Sequence, residues 1–171
     1  MNGGEVKVKL IKGKVWKFGD NVDTDIISPS IYMDSPEELR EHAFEAIKPE
    51  FAGEVKSGDI IVGGRNFGCG SSRESAPEVI KALGVGAVVA ESFGRIFFRN
   101  AIAIGLPIIT CPRVSEVFEE GDELEIDLKG AKVRNISKGK EIQSEPLYHD
   151  VLDIILKGGI ISLLKGMQKN E

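Results

Sequence analysis

The chain has 171 residues, 42% of them hydrophobic and 29% charged, and 22 basic against 27 acidic side chains leave a net charge of −5. A single domain of this length buries about 70% of its unfolded surface, so a core forms without staples, and the composition excludes a disordered, collagen-like or coiled-coil chain. The acidic balance argues against nucleic acid as a partner, and the lack of any 18-residue apolar run or apolar leader argues against membrane insertion or secretion.

Alternation through Val6, Val8 and Leu10, and again through Val15 and Phe18 after Gly13, predicts two short strands. Between Phe18 and Pro29, turn formers and the aspartates Asp20, Asp23 and Asp25 crowd one loop ahead of Ile26 and Ile27. Ser35, Pro36 and Glu38 predict a helix start with a capping box, turning Leu39, Ala43 and Phe44 inward. Ile60 to Val62 forms an apolar strand, and the next eight residues, 63 to 70, contain four glycines. A helix is expected immediately afterwards, with Ala76, Val79, Ile80 and Leu83 on one face and Gly84 as its C-terminal cap. A strand over 87 to 90 follows, then a helical stripe of Phe93, Ile96, Phe97, Ala101 and Ile104, then a strand from Pro107 to Ile109.

This order predicts an α/β fold built on a parallel β-α-β-α-β unit, with ligand-binding loops at one sheet edge. Beyond residue 112, Leu124, Ile126 and Leu128, then Val133 and Ile136, predict short strands in a hairpin. A helix over 150 to 156 follows, Leu163 and Leu164 extend the apolar pattern, and the chain is expected to fray from Lys165. Residues 1 to 171 read as one domain.

The stretch Gly68-Cys69-Gly70-Ser71-Ser72-Arg73-Glu74 joins glycines, two hydroxyls and a cation at an expected helix start. Exposed amides and the helix dipole favour an anion there, and the Arg73 guanidinium suits a carboxylate or phosphate. The spacing fails the dinucleotide fingerprint, the phosphate loop and the nucleophile elbow. Ser71 to Glu74 also fits a plain capping box. An arginine in a first helical turn, where the dipole opposes it, is what calls for an anionic partner. Cys69 and Cys111 read as packing residues in a reducing cytosol, and His42 and His149 as surface or capping residues. Neither pair has metal-ligand spacing. Arg95 and Arg99 read as structural, and Asn100 as a tie from its helix to a loop backbone.

Three ordered motifs carry a family resemblance: Val15-Trp16-Lys17-Phe18-Gly19-Asp20-Asn21-Val22-Asp23-Thr24-Asp25, Gly64-Arg65-Asn66-Phe67-Gly68-Cys69-Gly70-Ser71-Ser72-Arg73-Glu74, and Ala90-Glu91-Ser92-Phe93-Gly94-Arg95-Ile96-Phe97-Phe98-Arg99-Asn100 with Gly105-Leu106-Pro107. Over residues 13 to 165 the chain resembles the small subunit of 3-isopropylmalate dehydratase and the mobile C-terminal domain of aconitase. The resemblance implies a swivelling β/β/α domain that closes over a separate large subunit. It also implies that the large subunit carries a four-iron four-sulfur cluster, that this chain binds none, and that the substrate is a small dicarboxylate. The implied reaction is that of a hydro-lyase: water leaves a 2-hydroxy diacid and returns with the hydroxyl on the neighbouring carbon, the cluster acting as a Lewis acid.

By the same resemblance Ser71 is the base, Arg73 clamps a substrate carboxylate, and Ser72 lends a hydrogen bond. Asp23, Thr24 and Asp25, with Gly68 and Gly70, order the site. A serine alkoxide is scarce at neutral pH, so its oxygen is expected among donors at a helix start with Arg73 near. In this family the loop after Asp25 meets the variable end of the substrate. Here Ile31, Tyr32 and Met33 suit an alkyl group, and no arginine stands ready for a third carboxylate. Isopropylmalate, in leucine biosynthesis, is therefore the expected substrate. A methylmalate or dimethylmalate dehydratase and a homoaconitase are the alternatives within the family, and a stand-alone carboxylate-binding regulatory module is the alternative outside enzymes.

Overall fold

The structure, a computed structural model, describes residues 10 to 169, so the strand expected through Val6 and Val8 lies outside the described residues. One seven-stranded sheet organises the chain, in the order β4-β3-β2-β1-β5-β6-β7. Its first strand, β1 (Leu10–Lys17), passes through Gly13 without the expected break. Gly13 is there for close approach rather than for a turn, since a Cβ would fall 2.0 Å from the Gly58 carbonyl oxygen.

On one side of β1 lie β2 (Ile60–Gly63), β3 (Ala87–Ala90) and β4 (Ile108–Thr110), all parallel, with Val15 opposite Ile60, Ile61 opposite Val88 and Val89 opposite Ile109. Both faces of β2 and β3 are buried, which is why those strands read as unbroken apolar runs. On the other side β5 (Glu123–Asp127), β6 (Lys132–Asn135) and β7 (Lys140–Gln143) run antiparallel and alternate buried with exposed positions over β5 and β6. Strand β7 was not foreseen. It is an edge strand with one apolar residue, Ile142, opposite Val133, too little for a hydrophobic period.

The connecting helices are α1 (Thr24–Ile27), α2 (Pro36–Glu41), α3 (Phe51–Glu54), α4 (Ser75–Ala82), α5 (Arg95–Ala103), α6 (Val114–Val117), α7 (His149–Leu156) and α8 (Ile160–Gln168), with one 3-10 turn over Ser30–Tyr32. Helix α2 starts as expected, the Ser35 hydroxyl accepting from the Glu38 amide at 3.3 Å. The reciprocal half of the capping box is absent because the Ser35 amide donates to the Tyr32 carbonyl. In α5 the buried residues are Phe97, Ala101 and Ile102, while Ile96 is 46% exposed, so the apolar stripe is narrower than expected. The tail does not fray at Lys165: α8 continues to Gln168, packed on α5 and α7, but none of its residues is fully buried. No helix among the described residues is long and apolar enough to cross a membrane.

The aromatic core locates the glycine loop. Phe18, Phe44 and Phe51 pack together beneath β1, and Phe67 joins them to Phe93 and Phe97, with centroids 6.5 Å from Phe18, 6.1 Å from Phe93 and 5.6 Å from Phe97. Phe67 is fully buried, so the loop that follows β2 is anchored in the core one residue before Gly68.

Candidate active site

The loop after β2 is stitched on both sides to neighbouring strand ends. The Gly68 amide donates to Val22 O at 2.7 Å, and the Thr24 amide donates to Cys69 O at 2.9 Å. On the other flank Phe67 N donates to Ser92 O and Gly94 N to Phe67 O. Gly68 has φ +78, and a Cβ there would lie 2.2 Å from Phe97 Cγ. Left-handed backbone and overpacking against an immobile ring both oppose a side chain. Gly68→Ala should therefore destabilise the fold by about 2–5 kcal/mol, read as a lower urea midpoint at unchanged slope.

After Gly70, at φ +102, the chain turns outward and exposes Ser71 and Ser72. Here the structure corrects three expectations. Helix α4 starts at Ser75 and carries no side-chain cap, so Ser71 and Glu74 form no capping box. Arg73 precedes the helix rather than lying in its first turn, and the Asp25 carboxylate meets its charge there. No helix-start amide bonds Ser71 Oγ either; its one partner among the described residues is the hydroxyl of Thr24, 3.3 Å away. The reason lies in α1, which offers tertiary partners that local capping cannot match. Arg73 Nη1 donates to Asp25 Oδ1 at 2.6 Å and to the Ser28 carbonyl at 3.2 Å, and the Arg73 amide donates to the Ser71 carbonyl at 2.9 Å, so residues 71 to 73 form a tight turn ahead of the helix.

The Asp23-Thr24-Asp25 motif thus sits directly under the serine loop. Asp23 caps α1, its carboxylate accepting from the Ile26 amide at 2.8 Å. Thr24 is buried, and its hydroxyl donates to the Ser71 carbonyl at 3.2 Å. Asp25 accepts from Arg73 and from the Ser30 amide at 3.1 Å, and these bonds, Arg73's above all, hold its carboxyl below the usual carboxylate range. Only Nη1 of Arg73 is engaged, and its side chain keeps 26% exposure, so the rest of the fork faces outward.

Of the loop residues expected at the variable end of the substrate, Met33 is linked to this cluster: buried Ser28 donates to Ser75 Oγ at 2.8 Å, and Ser75 donates to Met33 Sδ at 3.7 Å. Ser28 and Ser75 were missed because neither belongs to a motif; the pairing joins residues 47 apart. Ile31 is 78% exposed beside them. One face of the Tyr32 ring stacks on His42, with centroids 3.9 Å apart. His42 in turn contacts Glu45 at 2.6 Å and follows the end of α2, a capping role as expected. Asn100 makes no side-chain hydrogen bond among the described residues; it is half-buried and lines a groove with Glu74, Ile160 and Ile161, not the expected tie to a loop. Arg95 and Arg99 are exposed.

Neither cysteine suits a thiolate role. Burial pushes the Cys111 thiol up to about 12, and burial with the nearby Asp23 charge raises half-buried Cys69. At pH 8 iodoacetamide should leave Cys111 unmodified in the native protein and alkylate Cys69 far more slowly than in urea, as intact-mass spectra will show. An iron–sulfur cluster is held by thiolates, so the residues of this chain do not fit one.

The family described as Aconitase C-terminal domain matches residues 27–113. A relative in Halothermothrix orenii, 3-isopropylmalate dehydratase small subunit, is 52% identical over 158 residues, covering 91% of this chain and 96% of that one. The chain belongs to the aconitase C-terminal domain family. Within it, the isopropylmalate/citramalate isomerase small subunit of Methanocaldococcus jannaschii is 49% identical over 91% of this chain and 94% of its own. The crystal structure of 3-isopropylmalate dehydratase from the same organism superposes with a TM-score of 0.88 at 43% identity, covering 94% of this chain and 96% of that one. The mixed sheet and its helices are therefore the family's fold, carried along nearly the whole chain.

Proposed function

We infer that this chain is the small subunit of a hydro-lyase of the 3-isopropylmalate dehydratase type, active with a large subunit, which isomerises 2-isopropylmalate to 3-isopropylmalate in leucine biosynthesis. One observation carries the reading: an exposed serine hydroxyl and an outward-facing guanidinium converge on a loop anchored in the core and braced by the Asp23-Thr24-Asp25 turn. Relatives at about half identity, named for this reaction, support it.

In this reading Ser71 Oγ takes the proton from the carbon beside a carboxylate and returns one to carbon in the hydrating half. Arg73, held at Nη1 by Asp25, offers its free N–H groups to a substrate carboxylate, and Ser72 adds a hydroxyl at the same rim. The iron–sulfur cluster belongs to the large subunit, where it supplies Lewis acidity. A groove of about 410 Å³, lined by Met33, Pro36, Leu39 and Val79 together with the charged Arg40 and Glu78, adjoins the loop expected at the alkyl end. A methyl-substituted malate is the second reading, favoured by the name of the M. jannaschii relative, which pairs isopropylmalate with citramalate.

The test is reconstitution. The chain mixed with its large subunit should hydrate and dehydrate isopropylmalate, neither subunit doing so alone, with citramalate and homocitrate assayed beside it. Ligand binding by the isolated chain with no activity in the pair would overturn the reading in favour of a regulatory module.

A further inference from the structure

Ser71 Oγ has one hydrogen-bond partner among the described residues, and that partner has a choice of acceptors. Thr24 Oγ1 lies 3.2 Å from the Ser71 carbonyl oxygen and 3.3 Å from Ser71 Oγ. A threonine hydroxyl carries one hydrogen and two lone pairs. With Ser71 protonated, Thr24 donates to the Ser71 carbonyl and its oxygen can accept from the Ser71 hydroxyl, since either of the two hydroxyls can be the donor between them. Once Ser71 Oγ is negative it has no hydrogen to give, and the Thr24 hydrogen gains by turning from the neutral carbonyl to the charged oxygen.

The surroundings hold Thr24 at this post. It is 2% exposed, its amide is bonded to Cys69 O at 2.9 Å, and the preceding residue, Asp23, pairs with Cys69 across the loop. Gly70 stands between the two hydroxyl-bearing segments, where a Cβ would touch Thr24 Oγ1 at 3.4 Å. Ser71 itself is exposed, so the donor on its inner side is the one fixed by the fold.

We propose that Thr24 is the positioning residue of the base: its single hydroxyl hydrogen switches from the Ser71 carbonyl to Ser71 Oγ as that oxygen loses its proton, and back as the proton returns. This rests on Ser71 being the base of the proposed reaction. Ser71 Oγ first gives its own proton to water, which is why kcat rises with pH, and from there the cycle balances. The proton taken from the substrate carbon resides on Ser71 Oγ, Thr24 transfers none, and the hydrating half returns a proton to carbon.

The experiment compares Thr24→Val, which keeps the shape and removes the hydroxyl, with Thr24→Ser, which keeps the hydroxyl, both reconstituted with the large subunit. Thr24→Val should lower kcat about 100-fold at unchanged KM and move the rise of kcat with pH to higher pH, because an alkoxide without its donor forms less readily. Thr24→Ser should stay within a few-fold of the wild type. Thr24→Ala serves if valine does not fit the buried position, judged by circular dichroism. Wild-type kinetics in the hydroxyl-free variant overturn the proposal, as does equal loss in Thr24→Ser or a rise in KM alone. An inactive wild-type pair would instead overturn the functional reading, so the two failures are distinct.

Discussion

Ser71→Ala is expected to reduce kcat of the reconstituted pair by about 100- to 10,000-fold, the range that a positioned general base contributes. The structure makes this a clean substitution. Ser71 is exposed, caps no helix, and its hydroxyl bonds only Thr24 among the described residues. Stability should therefore change by no more than about 0.5 kcal/mol, as for surface positions away from caps and cores. A urea melt and a titration against the large subunit should both match the wild type while turnover is lost. Turnover near the wild-type rate would refute Ser71 as the base.

Arg73→Lys is expected to raise KM for the diacid about 10- to 100-fold, the equivalent of losing one charge-assisted hydrogen bond from a two-pronged grip. In the wild type one nitrogen is committed to Asp25 and the Ser28 carbonyl while the fork still points outward. An ammonium is a single point and cannot hold Asp25 and a substrate carboxylate with the same geometry. Unchanged KM in steady-state assays would count against the clamp. The same variant carries a pH signature. Asp25's depressed carboxyl contributes stability that is present above the ordinary carboxylate range and is lost as pH falls through the folded-state value. Arg73 is the largest cause of that depression, so in Arg73→Lys the stability lost on acidification should be smaller and should level off at a higher pH, seen by urea melts between pH 5 and pH 2.

Much of the parallel half of the fold was legible because burial on both faces leaves strands with no polar residue to interrupt them. Val62, Val88 and Val89 are fully buried, and the helices between them show one apolar face each. The antiparallel edge was legible only where one face packs: Leu124, Ile126 and Val133 were visible, β7 was not. At the site, the motif residues were all in view, yet the local reading misplaced them. Ser71 and Glu74 fit a capping box, and only the approach of α1 shows why the helix starts later, with Arg73 drawn to Asp25 across 48 positions. The stacking of Tyr32 on His42 was beyond any local period.

The sequence by itself determined the strand and helix order of the α/β unit, the glycine loop and the family to which its motifs belong, since these follow from periodicity, turn chemistry and short ordered patterns. Only the tertiary structure decided what surrounds Ser71: a buried threonine hydroxyl instead of helix-start amides, and an arginine braced by an aspartate ahead of the helix. The physical reason is that hydrogen bonds between distant segments outweigh local caps when a loop is pinned on both flanks, and no neighbour along the chain reveals them.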